Sequence, residues 1–135
     1  MQTQLIDFRI FGEPPPILTV PHGSVVFLSG DAGAQAYVVR SGVIQLRGAG
    51  RVLDTLGEGG IFGEMAIIDG CVRSASAVAM EDTRLIVIGA EDFHRFIDEA
   101  PGFATFVLQN LVRRLRMADA EALEPERRKL AAGGP

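Results

Sequence analysis

A carboxylate and a guanidinium stand close together in a glycine-rich segment of the chain. Glu64 and Arg73 lie nine positions apart, and four glycines precede Glu64 between positions 57 and 63. Glycines leave backbone N–H groups uncovered, and residues 64–68 can form one helical turn whose N-terminus faces the same space. Because such N–H groups bind anions, the segment predicts an anion site.

The residues after Glu64 indicate which anion this site would suit. The planar fork of Arg73 matches a phosphate with two parallel hydrogen bonds, and the small residues at 74–77 leave room for a ligand along a strand. A carboxylate and a guanidinium at opposite ends of one pocket fit a ligand with a hydroxyl at one end and a phosphate at the other. A mutual salt bridge between Glu64 and Arg73 that only holds the loop is the alternative.

Short strands must position this segment. Runs rich in β-branched and aromatic residues alternate with glycine turns at 17–20, 25–28, 35–40, 43–47, 52–56, 74–79 and 83–88. Seven or eight strands with no long helix between them predict a mainly β fold with flanking helices. We expect an eight-stranded antiparallel jelly-roll barrel over about 17–89, with a short helix in the ligand loop.

Two helices are predicted after the barrel. The first covers residues 90–100, and a longer one runs from about Phe103 to Glu124, ending before Pro125 and leaving a tail at 125–135. The longer helix carries apolar residues at alternating steps of three and four, the spacing of a coiled-coil seam. We expect Leu108, Leu111 and Leu115 to meet the same helix of a second subunit; packing of all three on the barrel is the alternative.

Composition limits the class of protein. With 135 residues, the chain predicts a single domain over 1–135, and no apolar stretch approaches the length of a membrane span. Met1 to Phe11 has no export signal, so we expect a cytoplasmic protein without a membrane partner. The net charge of -4 argues against direct nucleic-acid binding. Arg113, Arg114 and the other basic residues after 110 alternate with acidic ones, which indicates a solvated helix face.

Metal and enzyme chemistry find little support in the sequence. Cys71 is the single cysteine, and His22 and His94 lie 72 positions apart. This set suits neither a metal site nor a disulfide, and the missing metal histidines argue against a cupin-like enzyme. No motif of a hydrolase or a phosphate-binding lysine loop is present, so we expect no enzymatic activity and no cofactor.

At the glycine-rich segment the sequence resembles the cyclic nucleotide-binding domain family. The family's phosphate-binding cassette has Phe-Gly-Glu and a short turn, followed about eight residues later by Pro-Arg-Ser/Ala/Thr-Ala. This chain has Phe62-Gly63-Glu64-Met65-Ala66 and then Arg73-Ser74-Ala75, with Val72 in place of the proline. The resemblance covers about residues 17–120.

The resemblance implies roles for these residues. Glu64 would accept a hydrogen bond from the ribose 2'-hydroxyl, Arg73 would pair with the cyclic phosphate, and Ser74 would add its N–H and hydroxyl. The implied ligand-binding set is Phe62, Gly63, Glu64, Met65, Ala66, Arg73, Ser74 and Ala75. In catabolite-activator members, two hydroxyl residues of the long helix reach the base. Ala118 and Asp119 stand there in this chain, so these contacts to the base are absent. The resemblance implies cAMP ahead of cGMP because Ser74 follows Arg73, where a threonine often accompanies a preference for cGMP in the family.

The sequence therefore predicts a sensor that binds cAMP or cGMP and relays occupancy through its C-terminal helix to an unknown downstream protein. The chain ends too soon after Pro125 for a helix-turn-helix domain, so no direct reading of DNA is expected. The alternative function is a dimerising interaction scaffold whose pocket has lost its ligand.

Overall fold

The computed structural model describes residues 16–133. The prediction about export signals in Met1 to Phe11 lies outside the described residues. Within 16–133, no helix is both long and apolar enough to cross a membrane. The described chain forms eight strands and three helices, in the order that the sequence predicts.

The strands form two four-stranded sheets with antiparallel neighbours. The strands are β1 (Ile17–Val20), β2 (Val25–Phe27), β3 (Gln35–Ser41), β4 (Ile44–Gly48), β5 (Arg51–Leu56), β6 (Ile61–Phe62), β7 (Ser76–Ala79) and β8 (Thr83–Gly89). The order is β1-β8-β3-β6 in one sheet and β2-β7-β4-β5 in the other. The predicted mainly β, jelly-roll architecture is confirmed, and β6 is the short eighth strand that no apolar run had marked.

Strand β3 buries both of its faces, which explains its continuous apolar sequence. Tyr37 and Val39 point into a core shared by the two sheets, whereas Ala36 and Val38 point to a second core under the helices. Alternation of side chains along the strand sends neighbours to opposite faces. One strand therefore joins the sheet core to the helical layer.

The helices are α1 (Glu64–Asp69), α2 (Ala90–Glu99) and α3 (Pro101–Ala132). The predicted end of the long helix before Pro125 is wrong, because Pro125 lies inside α3 and the helix continues through most of the expected tail. Proline removes one N–H donor, which leaves the carbonyl of Glu121 without its helical partner. Both residues are exposed, so water can satisfy that carbonyl and the helix can continue.

Helix α3 packs on the first sheet through its N-terminal half. Phe103 and Val107 are buried in the core under the helices, and Leu111, four residues further on, packs against the same core. Leu108 and Leu115 are instead 60% and 62% exposed. The three residues of the expected seam thus divide between two faces, because Leu111 continues the four-residue row that starts at Phe103.

Candidate functional site

The loop after α1 brings Arg73 back against the start of that helix. Gly63 has a φ of 81° and an N-terminal position at α1, a left-handed backbone that glycine adopts without a Cβ clash. Arg73 donates from Nη1 to the carbonyl of Gly63 at 2.8 Å and from Nη2 to the carbonyl of Gln35 at 2.9 Å. These two hydrogen bonds fix the guanidinium at the junction of β3 and α1.

Arg73 is a buried cation that pairs with no carboxylate in the described part of the chain. The residue is 5% exposed, and its guanidinium stacks over the Phe27 ring with Cζ 4.1 Å from the ring centroid. Among the described residues it forms no ion pair, and its Nε has no hydrogen-bond partner. Burial lowers the pKa of Arg73, although nearby Tyr37, Glu64 and Asp31 oppose that shift. The group can therefore accept an anion.

Glu64 is fully buried at the first position of α1, and its ion pair is with Arg114 of α3. Arg114 donates from Nη1 to Oε1 of Glu64, while Oε2 has no hydrogen-bond partner in the described part of the chain. Burial raises the pKa of Glu64, and the charge of Arg114 works against that rise. The mutual salt bridge of Glu64 and Arg73 that sequence reasoning left open is not what this loop forms.

Helix α3 reaches the site through two consecutive arginines. Arg113 donates to both carboxylate oxygens of Asp54, from Nη1 to Oδ1 at 3.1 Å and from Nη2 to Oδ2 at 2.7 Å. Arg114 donates from Nε to Oδ2 of Asp54 at 3.2 Å. The interpretation of this arginine pair as a solvated helix face is wrong, because Arg113 pairs with Asp54 of β5 and Arg114 pairs with both Asp54 and Glu64 of α1.

A cavity of about 620 Å³ lies between the loop, β5 and α3. Its volume falls in the range of small-molecule sites. The loop, α1, β2, β4 and β5 contribute Phe27, Leu46, Arg51, Val52, Leu53, Asp54, Gly63, Met65, Ala66, Arg73, Ser74 and Ala75, and α3 contributes Arg114, Met117, Ala118, Ala120 and Glu121. An apolar chamber with a buried cation on its wall can hold a small anion that carries an apolar body.

The structure brings six of the eight predicted ligand residues to this wall and leaves two behind it. Gly63, Met65, Ala66, Arg73, Ser74 and Ala75 line the cavity. Phe62 instead packs inside the sheets, with its ring stacked on Tyr37 at a centroid distance of 5.3 Å. Glu64 lies behind Arg114, which takes the place on the wall that the sequence assigned to the carboxylate.

Several residues of the site escaped sequence reasoning. Asp54 lies on β5 where alternation predicts an inward side chain, so its charge at a buried position was an available signal. For Arg114 the available signal was helical spacing, because it lies three residues after Leu111, which packs on the core, and residues three apart in a helix share a face. Gly33 carried no signal, although a Cβ on it would meet the Arg73 guanidinium at 2.3 Å.

Comparison with known proteins identifies the family of the fold. The profile described as "Cyclic nucleotide-binding domain" matches residues 17–100. The "Cyclic AMP receptor protein" of Thermus thermophilus is 43% identical over 106 residues, which cover 75% of this chain and 49% of that protein. The chain spans about half the length, or less, of the first curated relatives that it matches.

Solved structures agree with this match. The crystal structure of the Thermus thermophilus catabolite activator protein superposes with a TM-score of 0.70 at 41% identity, covering 80% of this chain and 53% of the other. A structure described as "A cyclic-GMP-dependent signalling pathway regulates bacterial phytopathogenesis" also gives 0.70, at 29% identity, covering 84% of this chain and 98% of that one. From its matched profile, its fold and its cassette residues, the chain belongs to the cyclic nucleotide-binding domain family.

Proposed function

We propose that this protein senses a cyclic nucleotide, cAMP in preference to cGMP, and that helix α3 relays the occupancy of the cavity. Arg73 carries the proposal, because it is a buried cation on the cavity wall with no ion pair in the described chain. A bound phosphodiester would supply the missing negative charge and an acceptor for the unpartnered Nε. No cofactor is needed for this role.

The other residues at the cavity are suited to contacts with a sugar and a base. Ser74 and Ala75 follow Arg73 directly and leave space beside the guanidinium, so a phosphate there can also accept from the Ser74 hydroxyl. Oε2 of Glu64 receives no hydrogen bond within residues 16–133, which suits the ribose 2'-hydroxyl once Arg114 gives way. The apolar Val52, Leu53 and Met117 sides of the chamber suit a purine.

Helix α3 is placed to respond to a ligand, because it forms one wall of the cavity. Arg114, Met117, Ala118 and Glu121 line the chamber from the helix. A ligand that binds one helix position more tightly than another shifts the population of that position. Movement of α3 relative to β5 is therefore the output that we propose for an unidentified downstream protein in the cytoplasm.

The preference for cAMP rests on two observations. The relative with 43% identity is named a cyclic AMP receptor, and Ser74 follows the cassette arginine where threonine often accompanies cGMP preference in the family. Ala118 offers no hydroxyl to either purine. The other nucleotide is a necessary arm of the test, because one similar solved structure is described by a cyclic-GMP pathway.

Isothermal titration of the purified chain with cAMP and with cGMP tests the proposal. We expect micromolar or tighter binding of cAMP, and at least about tenfold weaker binding in Arg73→Ala, because a hydrogen-bonded charge pair is worth about 1.5–3 kcal/mol. Arg84→Ala is the matched control, since it removes the same charge from an exposed position on β8. Its affinity should equal that of the wild type.

A second variant covers the case in which Arg73→Ala does not fold. Ala75→Leu keeps Arg73 and places a larger side chain on the cavity wall, so it should also abolish binding. Absence of binding heat with either nucleotide for the wild type, or unchanged affinity in both variants of the site, overturns the proposal.

A dimerising scaffold is the second candidate function. The observation that favours it is the apolar surface of α3, where Leu108 and Leu115 are 60% and 62% exposed. Sedimentation of the double variant Leu108→Glu/Leu115→Glu tests it. A dimer that becomes a monomer in this variant supports pairing through α3, whereas an unchanged mass excludes these residues from the interface. Leu111 is unsuitable for the test because it packs on the core.

A further inference from the structure

Asp54 is a buried charge at the point where β5 meets α3. The residue is 5% exposed and accepts hydrogen bonds from Arg113 at 3.1 and 2.7 Å and from Arg114 at 3.2 Å. Burial raises the pKa of Asp54, but the hydrogen bonds and charges of Arg113 and Arg114 outweigh that effect and lower it. The carboxylate therefore stays ionised and holds two arginines of one helix.

Arg114 is oriented by three acceptors, one for each nitrogen. Its Nε donates to Asp54, its Nη1 to Glu64 and its Nη2 to the carbonyl of Ile61. A guanidinium is planar and rigid, so fixing Nε sets the direction of the other two nitrogens. The hydrogen bond from Arg114 Nε to Asp54 therefore helps to orient Arg114 Nη1 toward the carboxylate of Glu64.

The charges in this cluster balance only when Asp54 is present. Asp54 and Glu64 supply two negative charges against the two positive charges of Arg113 and Arg114. Without the charge of Asp54, two adjacent guanidiniums face one carboxylate, and an amide at position 54 would point its own N–H donors at them. Repulsion in a partly buried site is only weakly screened, so α3 would be pushed away from β5.

We propose that Asp54 is a positioning residue of the ligand site, which holds α3 across the cavity and aligns Arg114 on the carboxylate of Glu64. The second half of this inference rests on the proposed function, because Glu64 is there assigned to the sugar hydroxyl. Asp54 acts through Arg114. An aligned Arg114 favours the charged form of Glu64 against the effect of burial, and a charged carboxylate accepts a hydroxyl hydrogen bond better than a protonated one does.

Hydrogen exchange of the ligand-free protein tests the first half without any nucleotide. In Asp54→Asn, the amides of residues 113–121 should exchange about tenfold faster than in the wild type, since loss of a buried ion pair loosens the helix locally. Asp92→Asn is the matched control, because it makes the same substitution in an exposed aspartate that pairs with Arg95 on α2. It should leave exchange in α3 unchanged.

The second half is tested by comparing cAMP with 2'-deoxy-cAMP, which lacks the hydroxyl that Glu64 would bind. In the wild type the hydroxyl should contribute at least about tenfold to affinity. In Asp54→Asn this ratio should fall by about fivefold, a partial loss of one charge-assisted hydrogen bond. In an Arg114→Ala background, Asp54→Asn should not change the ratio further, because the residue through which Asp54 acts is gone.

The outcomes separate this inference from the proposed function. Unchanged exchange in α3 overturns it, and so does an equal loss of affinity for both nucleotides, which would mean that Asp54 only stabilises the fold. A wild type that binds no nucleotide defeats the proposed function, while the exchange measurement still decides whether Asp54 holds α3. Should Asp54→Asn not fold, Arg113→Gln removes the bidentate partner instead and should loosen residues 113–121 in the same way.

Discussion

Gly33→Ala offers a test of the site that leaves every charged residue in place. A Cβ on Gly33 would lie 2.3 Å from Nε and 2.4 Å from Cζ and Nη2 of Arg73. Gly33 is not among the glycines with positive φ, so alanine fits its backbone without strain. The three nearest atoms to the added Cβ all belong to the Arg73 guanidinium, so the substitution acts on this group directly.

The size of the effect follows from the distances. Ordinary contacts of a Cβ begin at 3.4 Å, so the guanidinium must retreat by about 1 Å. It is held by hydrogen bonds of 2.8 and 2.9 Å to the carbonyls of Gly63 and Gln35, and such a shift lengthens at least one of them beyond hydrogen-bond range. Misplacing a charged donor by this amount should weaken cyclic nucleotide binding by about 10- to 100-fold, or about 1.4–2.7 kcal/mol.

Isothermal titration with cAMP and thermal denaturation should be measured together on this variant. Gly57→Ala is the matched control, because a Cβ there meets nothing within 4 Å and its φ is not positive. We expect the control to bind as the wild type does. If Gly33→Ala also binds as tightly as the wild type while folding normally, the assignment of the phosphate to Arg73 is wrong.

Two further predictions concern stability, and a third concerns the helix content of the protein. Leu111→Ala should lower the free energy of unfolding by about 2 kcal/mol or more, whereas Leu115→Ala should change it little, because only Leu111 packs on the core; denaturant unfolding measures both. The pKa of Asp54 is lower in the folded protein than its ordinary value of 3.8, so the ionised carboxylate stabilises the fold at pH values above 3.8. This stabilisation is lost as the pH falls through 3.8 and below it. Thermal melts from pH 6 to pH 3 should therefore show a steeper loss in the wild type than in Asp54→Asn, and equal slopes would refute this. Pro125→Ala should raise the helical signal in circular dichroism, since it restores one backbone donor within α3, and an unchanged or smaller signal would contradict the helix through this position.

The succession of strands along the chain and the short α1 helix were predictable because both depend on local patterns. Alternating apolar residues separated by glycine turns marked seven of the eight strands. Strand β6 was missed because two residues, Ile61 and Phe62, are too few to show any period. The end of α3 was predicted wrongly for another reason. The expectation that a helix ends before proline does not consider that water can bond the free carbonyl when that part of the helix is exposed.

The amino-acid sequence by itself determined the loop of the site, because Gly63, Glu64 and Arg73 lie within one short segment whose turn chemistry is local. Only the tertiary structure decided their partners. Arg114 is 50 positions from Glu64 and 60 from Asp54, and helical periodicity states which face a residue occupies but not what that face meets. The packing of α3 against the first sheet turns this arginine to the two carboxylates, and Arg73 forms no ion pair with any residue of 16–133.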